Sequence, residues 1–422
     1  MKLDRLIYYR QDHNSIYTLV DLYNRICDGN TIDESQEVLF YESLSEVISE
    51  SISHGYYGNL WKLYITNMLV NHENAYSLSC EMAGDAVGSI SATARLDFAI
   101  IYQVFNMDFA VFKPYFDYDY DSFLCFDARN NTGYKFSKRI RDCILNLAKE
   151  LSGAKDADEF QQLVAGFYKS FGVGKLGLHK AFRIEEGGQI VPVSNIAHVK
   201  LSDLVGYDIQ KKQLTDNTEN FLAGKKANNC LLFGDAGTGK STSVKAICNE
   251  YYDRGLRLIE VYKHQLKDIH HVIAQIKSRK YKFIIYMDDL SFEEFETEYK
   301  YLKAVIEGGL EKKPDNVLIY ATSNRRHLIK ESFKDKQDMD DLHKNDTVQE
   351  KLSLAYRFGV TIYFGSPSKK EFQDIILELR DRTGITLSDD EILAEANKWE
   401  ISHGGLSGRC AQQFIDYIAG QQ

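Results

Sequence analysis

The residues best equipped for chemistry in this 422-residue chain are consecutive: Gly234-Asp235-Ala236-Gly237-Thr238-Gly239-Lys240-Ser241, followed by Thr242. The pattern G-x-x-x-x-G-K-[ST] is a phosphate loop. Its glycines permit a tight turn, and its backbone N–H groups, with the N-terminus of the next helix, face anionic oxygens. Lys240 reaches the β and γ oxygens of a nucleoside triphosphate, and Ser241 ligates Mg²⁺. The flanks suit this reading, because apolar Cys230 to Phe233 precede the loop as a strand and Ser241 to Tyr252 continue with helical spacing.

Further along, Phe283 to Met287 make an apolar strand that ends in Asp288-Asp289. Hard Mg²⁺ prefers such oxygens. Asp288 is the metal-side acid, and Asp289 is the candidate for orienting an attacking water. The next strand ends in Thr322-Ser323-Asn324, whose amide either holds that water between the acids and the γ-phosphate or caps a helix. Arg357, amid apolar residues before the last strand, and Arg409, at the start of the last helix, each either stabilise transferring charge or form structural ion pairs.

These residues need a scaffold, and the texture of the chain supplies one. From Ala197 onward, five short apolar runs alternate with helical periods: Cys230 to Phe233, Leu258 to Val261, Phe283 to Met287, Val317 to Ala321 and Thr361 to Phe364. Buried strands separated by helices imply a parallel α/β sheet. After Pro367 three helical stretches, Lys369 to Arg382, Asp389 to Trp399 and Gly408 to Ala419, form a small lid. Residues 1–183 read as mostly helical, with apolar faces such as Ile140, Cys143, Ile144, Leu147, Leu151 and Phe160, Leu163, Val164, Phe167, Tyr168, Phe171. Glu185 to Gln189 and Pro192 break the pattern. The expected division is a helical domain at 1–183, a linker at 184–196, an α/β nucleotide-binding domain at 197–366 and a helical lid at 367–422.

Composition narrows the classes. Hydrophobic residues make up 44% and charged residues 27%, with four Pro, which fits globular domains and excludes fibrous or wholly disordered chains. Residues 1–195 carry 18 Lys and Arg against 26 Asp and Glu, so the front half lacks the basic stripe that a nucleic-acid platform needs. Leu96 to Phe112 is too polar to span a bilayer. Met1 to Val20 has no apolar run of signal-peptide length, and seven scattered Cys without a C-x-x-C pair fit reduced thiols and give no zinc site. A cytoplasmic location is expected.

Together, residues 197–422 resemble the AAA+ ATPases. The phosphate loop, Asp288-Asp289, Asn324, Arg357 and Arg409 match, in order, the Walker A, Walker B, sensor 1, arginine-finger and sensor 2 positions of that superfamily. The resemblance implies strand order 5-1-4-3-2, ATP and Mg²⁺ bound between the sheet domain and the lid, and Leu204-Val205-Gly206-Tyr207-Asp208 near adenine. The cofactor-binding set is then Val205, Gly206 and Asp235 to Thr242, and Arg357 reaches the nucleotide of a neighbouring subunit. More narrowly, Leu256 to Val261, Asp288 to Glu294, Ala321 to Leu328, Glu350 to Leu354 and Gly177 to Phe182 resemble an uncharacterised bacterial P-loop ATPase family, catalogued as domain of unknown function 815. Most AAA+ members have Glu where Asp289 stands, and Glu293 or Glu294 is the nearby substitute.

Other patterns carry less. Gly172 to Gly177 spells G-x-G-x-x-G, but a helix precedes it where a dinucleotide fold needs a strand. Asp117 to Asp121 mimics the start of a calcium loop, yet Ser122 and Ala128 replace its required Gly and Glu. Tyr115 to Phe123 alternates aromatic and acidic residues, a half-buried segment or a partner surface. His270-His271 reads as solvated, and the charged insertion 331–350 as a loop. The expected function is ATP hydrolysis by an oligomer that remodels a macromolecular partner, expected to be a protein; the alternatives are a nucleotide-gated switch with slow hydrolysis and a loader of nucleic-acid machinery.

Overall fold

Helix caps and apolar spacing decide where the first half of the chain turns. The structure, a computed structural model, describes residues 1–10, 14–84, 87–127, 136–193, 196–293, 296, 298–307, 313–325, 328 and 354–421. It divides into two compact units, Met1–His179 and Lys180–Gln422.

The first unit is helical. Its helices are α1 (Ser15–Cys27), α2 (Glu34–His54), α3 (Leu60–Asn71), α4 (Ala75–Ala83), α5 (Ser89–Phe105), α6 (Tyr120–Leu124), α7 (Lys138–Ser152), α8 (Ala157–Phe171) and α9 (Gly174–Leu178). Asn14, Asp33, Asn59, Asn74, Asp119, Ser137 and Asp156 accept hydrogen bonds from first-turn N–H groups, which satisfies donors that a helix cannot pair internally. The apolar faces read from the sequence do point inward: Ile144, Leu147 and Leu151 of α7 and Phe160, Val164, Phe167 and Tyr168 of α8 are buried, whereas Phe171 is exposed. Asp97 of α5 is buried, and its carboxylate accepts from the N–H groups of Ile7, Tyr8 and Tyr9, tying the N-terminal segment to the core. Gly172 ends α8, and Gly174 follows with φ +65°, so the G-x-G-x-x-G run is a helix-to-helix turn.

The second unit is a seven-stranded sheet with helices and a lid. Its strands are β1 (Ala181–Ile184), β2 (Ile190–Pro192), β3 (Cys230–Gly234), β4 (Leu256–Glu260), β5 (Lys282–Met287), β6 (Val317–Ser323) and β7 (Val360–Phe364), in the order β2-β1-β4-β5-β6-β3-β7. Every pairing is parallel except β1 with β2. Within it, β7-β3-β6-β5-β4 reproduces the 5-1-4-3-2 order of the AAA+ P-loop fold, with its helical lid. Parallel strands buried on both faces explain their near-continuous apolar sequences; all seven residues of β6 are buried.

The edge of the sheet corrects one expectation. Part of the stretch expected as a linker, 184–196, builds a hairpin: Ile184 pairs with Ile190, and β1 adds in parallel to β4 with Ala181 opposite Leu258. The break at Glu185 to Gln189 is the hairpin turn, with Gly187 and Gly188 both at φ +78°.

Helices α10 (Asp208–Leu222), α11 (Lys240–Tyr251), α12 (Ile269–Ile276) and α13 (Tyr299–Glu307) belong to the sheet layer. The lid comprises α14 (Lys369–Thr383), α15 (Asp389–Ser402) and α16 (Gly408–Ala419), around Phe372, Ile376, Ile392, Ala411, Phe414 and Ile415. Val205 packs against this lid core. His270 and His271 are exposed on α12, and segment 331–350 lies outside the described residues. Among the described residues, no helix is long and apolar enough to cross a membrane.

Candidate functional site

Three carboxyl ends of parallel strands and one helix N-terminus meet at a single place. Strand β3 ends at Gly234, where φ is +135° and an added Cβ would collide with the Phe364 carbonyl oxygen, so no side chain fits. The chain turns through Gly237 (φ +76°) and Gly239 (φ +89°) into α11, so the first residues of that helix, Lys240 and Ser241, face the ends of β5 and β6.

Lys240 is buried. Its ammonium donates to the carbonyl oxygens of Gly234 (2.9 Å) and Asp235 (2.5 Å). Burial lowers its pKa, while Asp235, Asp289 and Asp288 oppose that shift.

Asp288 follows β5, and one of its oxygens, Oδ1, accepts from Ser241 Oγ and from Thr322 Oγ1, both at 2.6 Å. Burial raises the Asp288 pKa, but the hydrogen bonds from Ser241 and Thr322 outweigh it and hold the carboxyl below its usual range. It is therefore an anion near neutral pH. Asp289 adopts a left-handed conformation, φ +49°. Its N–H donates to Thr322 Oγ1 (2.9 Å), and its Oδ1 accepts from the Asn324 amide (2.8 Å). Thr322 thus serves both acids, and its carbonyl also accepts from the Leu290 N–H (2.7 Å).

A cavity of about 530 Å³ opens over these groups. Ala236 to Thr242 form its floor, Asp288, Asp289, Thr322 and Asn324 one wall, and Arg409 and Gln412 of the lid another. Its apolar part comes from Leu204, Val205 and Tyr207 together with Ile375 and Leu379 of α14. The Tyr207 ring stacks on Phe364, and its hydroxyl, pushed up to about 12 by burial, donates to the Gly365 carbonyl. The Arg409 N–H donates to the Gly237 carbonyl (3.1 Å), joining the lid to the loop.

Not every expected residue meets there. Gly206 and Asp235 do not line the cavity; the Asp235 carboxylate instead accepts from the N–H (2.8 Å) and hydroxyl (2.9 Å) of Ser366, which lower its pKa. Arg357 is also absent from the lining and pairs with Glu307 of α13. Glu293 does not line it either, and Glu294 lies outside the described residues. The sequence reading gave no role to Thr322, Ile375, Leu379 or Gln412, and named Tyr207 only within the segment expected near adenine. For Thr322 a signal existed, since it is a hydroxyl residue at the carboxyl end of the strand that Asn324 follows.

The oxygen set fits Mg²⁺. Among the described residues, no group of three or more His, Cys, Asp or Glu could hold a metal ion. One hydroxyl and one carboxylate converge at Ser241 and Asp288, which suits an ion that takes its remaining ligands from phosphate and water.

Comparison with known proteins places the chain. A family model described as "Protein of unknown function (DUF815)" matches residues 177–422, more than half of the sequence. The chain belongs to the DUF815 family. The matched span of this DUF815 protein contains every residue of the cavity described above. A 63-residue stretch is 41% identical to the replication factor C large subunit of Staphylothermus marinus, which is 15% of this chain and 14% of that protein. The DUF815 chain therefore spans 14% of the length of that curated relative. A solved structure of a Thermotoga maritima RuvB mutant is 13% identical, with a TM-score of 0.32, covering 52% of this chain and 71% of that one.

Because Thr322 serves both acids, Thr322→Val leaves the half-buried Asp289 N–H without its acceptor and Asp288 with one donor fewer. The expected cost is about 1 kcal/mol, or roughly 2–4 °C in the calorimetric melting temperature of a unit this size. An unchanged melting temperature would show that the threonine does not hold the acids.

Proposed function

We propose that this protein is an AAA+ ATPase that binds and hydrolyses MgATP to remodel a macromolecular partner, itself a protein. The observation that carries the reading is the convergence of Lys240, Ser241, Asp288, Asp289, Asn324 and Arg409 on one cavity. The loop amides and Lys240 bind the phosphates, and the apolar part formed by Val205, Tyr207, Ile375 and Leu379 receives the base. Ser241 and Asp288 hold Mg²⁺, which when bound neutralises charge on the β and γ oxygens.

The chemistry is displacement by water. Asn324 fixes one oxygen of Asp289, which leaves the other to accept the proton of a water that attacks the γ-phosphorus. The bond from that phosphorus to the bridging oxygen breaks, giving ADP and phosphate, and Asp289 returns its proton to solvent. Arg409 offsets charge on the transferring group from the lid side, so opening and closing of the lid follows the nucleotide state. Arg357, outside its own cavity, is assigned to the nucleotide of a neighbouring copy. The acidic first unit is assigned the choice of partner.

A second reading has its own observation. Asp289 has a shorter arm than Glu and is tied to Asn324, which favours slow hydrolysis that times a binding switch. A loader of nucleic-acid machinery has less support, given the excess acid of residues 1–195.

Three measurements test the proposal. Lys240→Ala should abolish ATP binding in an equilibrium titration, a loss of roughly 100-fold or more; an unchanged dissociation constant would sink the site assignment. Asp289→Asn should keep MgATP but slow single-turnover hydrolysis by about 100-fold or more, and a wild-type rate would move the role elsewhere. Held in ATP, that variant is also the bait for the partner. Finally, an arginine acting between subunits contributes on the order of a thousandfold in rate, so specific activity should rise with protein concentration. Mixing Arg357→Ala with Lys240→Ala chains should restore part of it, whereas concentration-independent turnover by a monomer would contradict assembly.

A further inference from the structure

The core contains two tyrosines that face each other across β5 and β6, and they differ in one respect. Tyr286 and Tyr320 are register partners, both are fully buried, and both belong to the same core cluster. A buried hydroxyl without a hydrogen bond is costly. The fold meets that demand at Tyr320, whose hydroxyl bonds to Thr218 (2.8 Å) and Asn217 (3.0 Å) of α10. At Tyr286 it does not: the hydroxyl is sealed from solvent and closes no hydrogen bond among the described residues.

Its surroundings indicate what it is for. Tyr286 is the penultimate residue of β5, and Asp288 follows directly after that strand's end. The groups acting on its hydroxyl, apart from burial, are Asp288, Ser241 and Thr322. A phenol hydroxyl carries its proton near neutral pH, so it can donate. Asp288 Oδ1 already accepts from both Ser241 and Thr322, while no donor closes on its Oδ2 among the described residues.

We propose that Tyr286 is a positioning residue for the divalent cation, its hydroxyl steering the Asp288 carboxylate from beneath and locking the carboxylate's orientation when Ser241 and Asp288 take up the metal. The inference rests on the reading of Ser241 and Asp288 as the metal-side pair. It goes beyond that reading by giving the strand interior a part in metal affinity. Partners behind a metal ligand commonly set affinity by 10–100-fold, and a tyrosine hydroxyl left without a partner in the strand core is suited to that role.

The test compares two hydroxyl deletions in the full chain. Mn²⁺ binding to the protein–ATP complex is titrated by electron paramagnetic resonance, ATP binding is titrated in EDTA, and melting is followed without metal. For Tyr286→Phe the expected result is an Mn²⁺ dissociation constant raised about tenfold, metal-free ATP affinity within about twofold, and a melting temperature unchanged or higher, because an unpaired buried hydroxyl has been removed. Tyr320→Phe should do the opposite, melting lower with Mn²⁺ affinity intact. If Tyr286→Phe keeps wild-type Mn²⁺ affinity, melts lower as Tyr320→Phe does, or fails to fold, the assignment is overturned. A wild-type chain that binds no ATP in EDTA, or no Mn²⁺ with ATP, would instead overturn the underlying reading of the site, and this inference with it.

Discussion

One carboxylate oxygen organises the site. Asp288 Oδ1 accepts from the first turn of α11 through Ser241 and from the last pleat of β6 through Thr322. Two short bonds to one atom fix the end of β5, the end of β6 and the start of the phosphate-loop helix relative to each other. Everything else that could act on a phosphate follows from that junction: Asp289 is turned by its bond to Thr322, Asn324 reaches Asp289 one pleat on, and Lys240 starts the helix that Ser241 anchors. Charged partners make such bonds stronger than neutral ones, and the lowered pKa of Asp288 keeps its charge in place near neutral pH.

The lid is coupled to the same junction through the loop. Arg409 of α16 donates its N–H to Gly237, and Ser366, between β7 and α14, donates to Asp235. Arg382 of α14 reaches the carbonyls of Ser202 and Asp203, beside the apolar part of the cavity. An added Cβ at Gly237 would lie 3.1 Å from Ser407 Oγ and from Arg409 Cβ, so loop and lid are in close contact there. Any group bound on the loop therefore acts directly on residues that position the lid.

Much of this was legible in the sequence, for different reasons in different places. The phosphate loop is contiguous, so eight residues carry its geometry without help from the fold. The helical faces of α7 and α8 were legible because caps and spacing are local. The strand order was not readable from periodicity, which cannot say which parallel neighbour a buried strand takes; it came from the resemblance. Strands β1 and β2 escaped because four and three residues are too short to show a period, and their Gly-Gly turn reads like a boundary. Thr322 and Tyr286 look like ordinary strand residues, Thr β-branched and Tyr aromatic. Their significance appears only when β5 and β6 are set side by side and the polar atoms of the core are matched to partners.

The central claim is that a nucleoside triphosphate seats its phosphates on the loop before α11 and its base against the lid. Amide hydrogen exchange of the full chain, with and without MgATP, tests this most directly. The account predicts that MgATP slows exchange in residues 235–242, with further protection at 203–207 and 408–412. Unchanged exchange in 235–242 at saturating MgATP would contradict it.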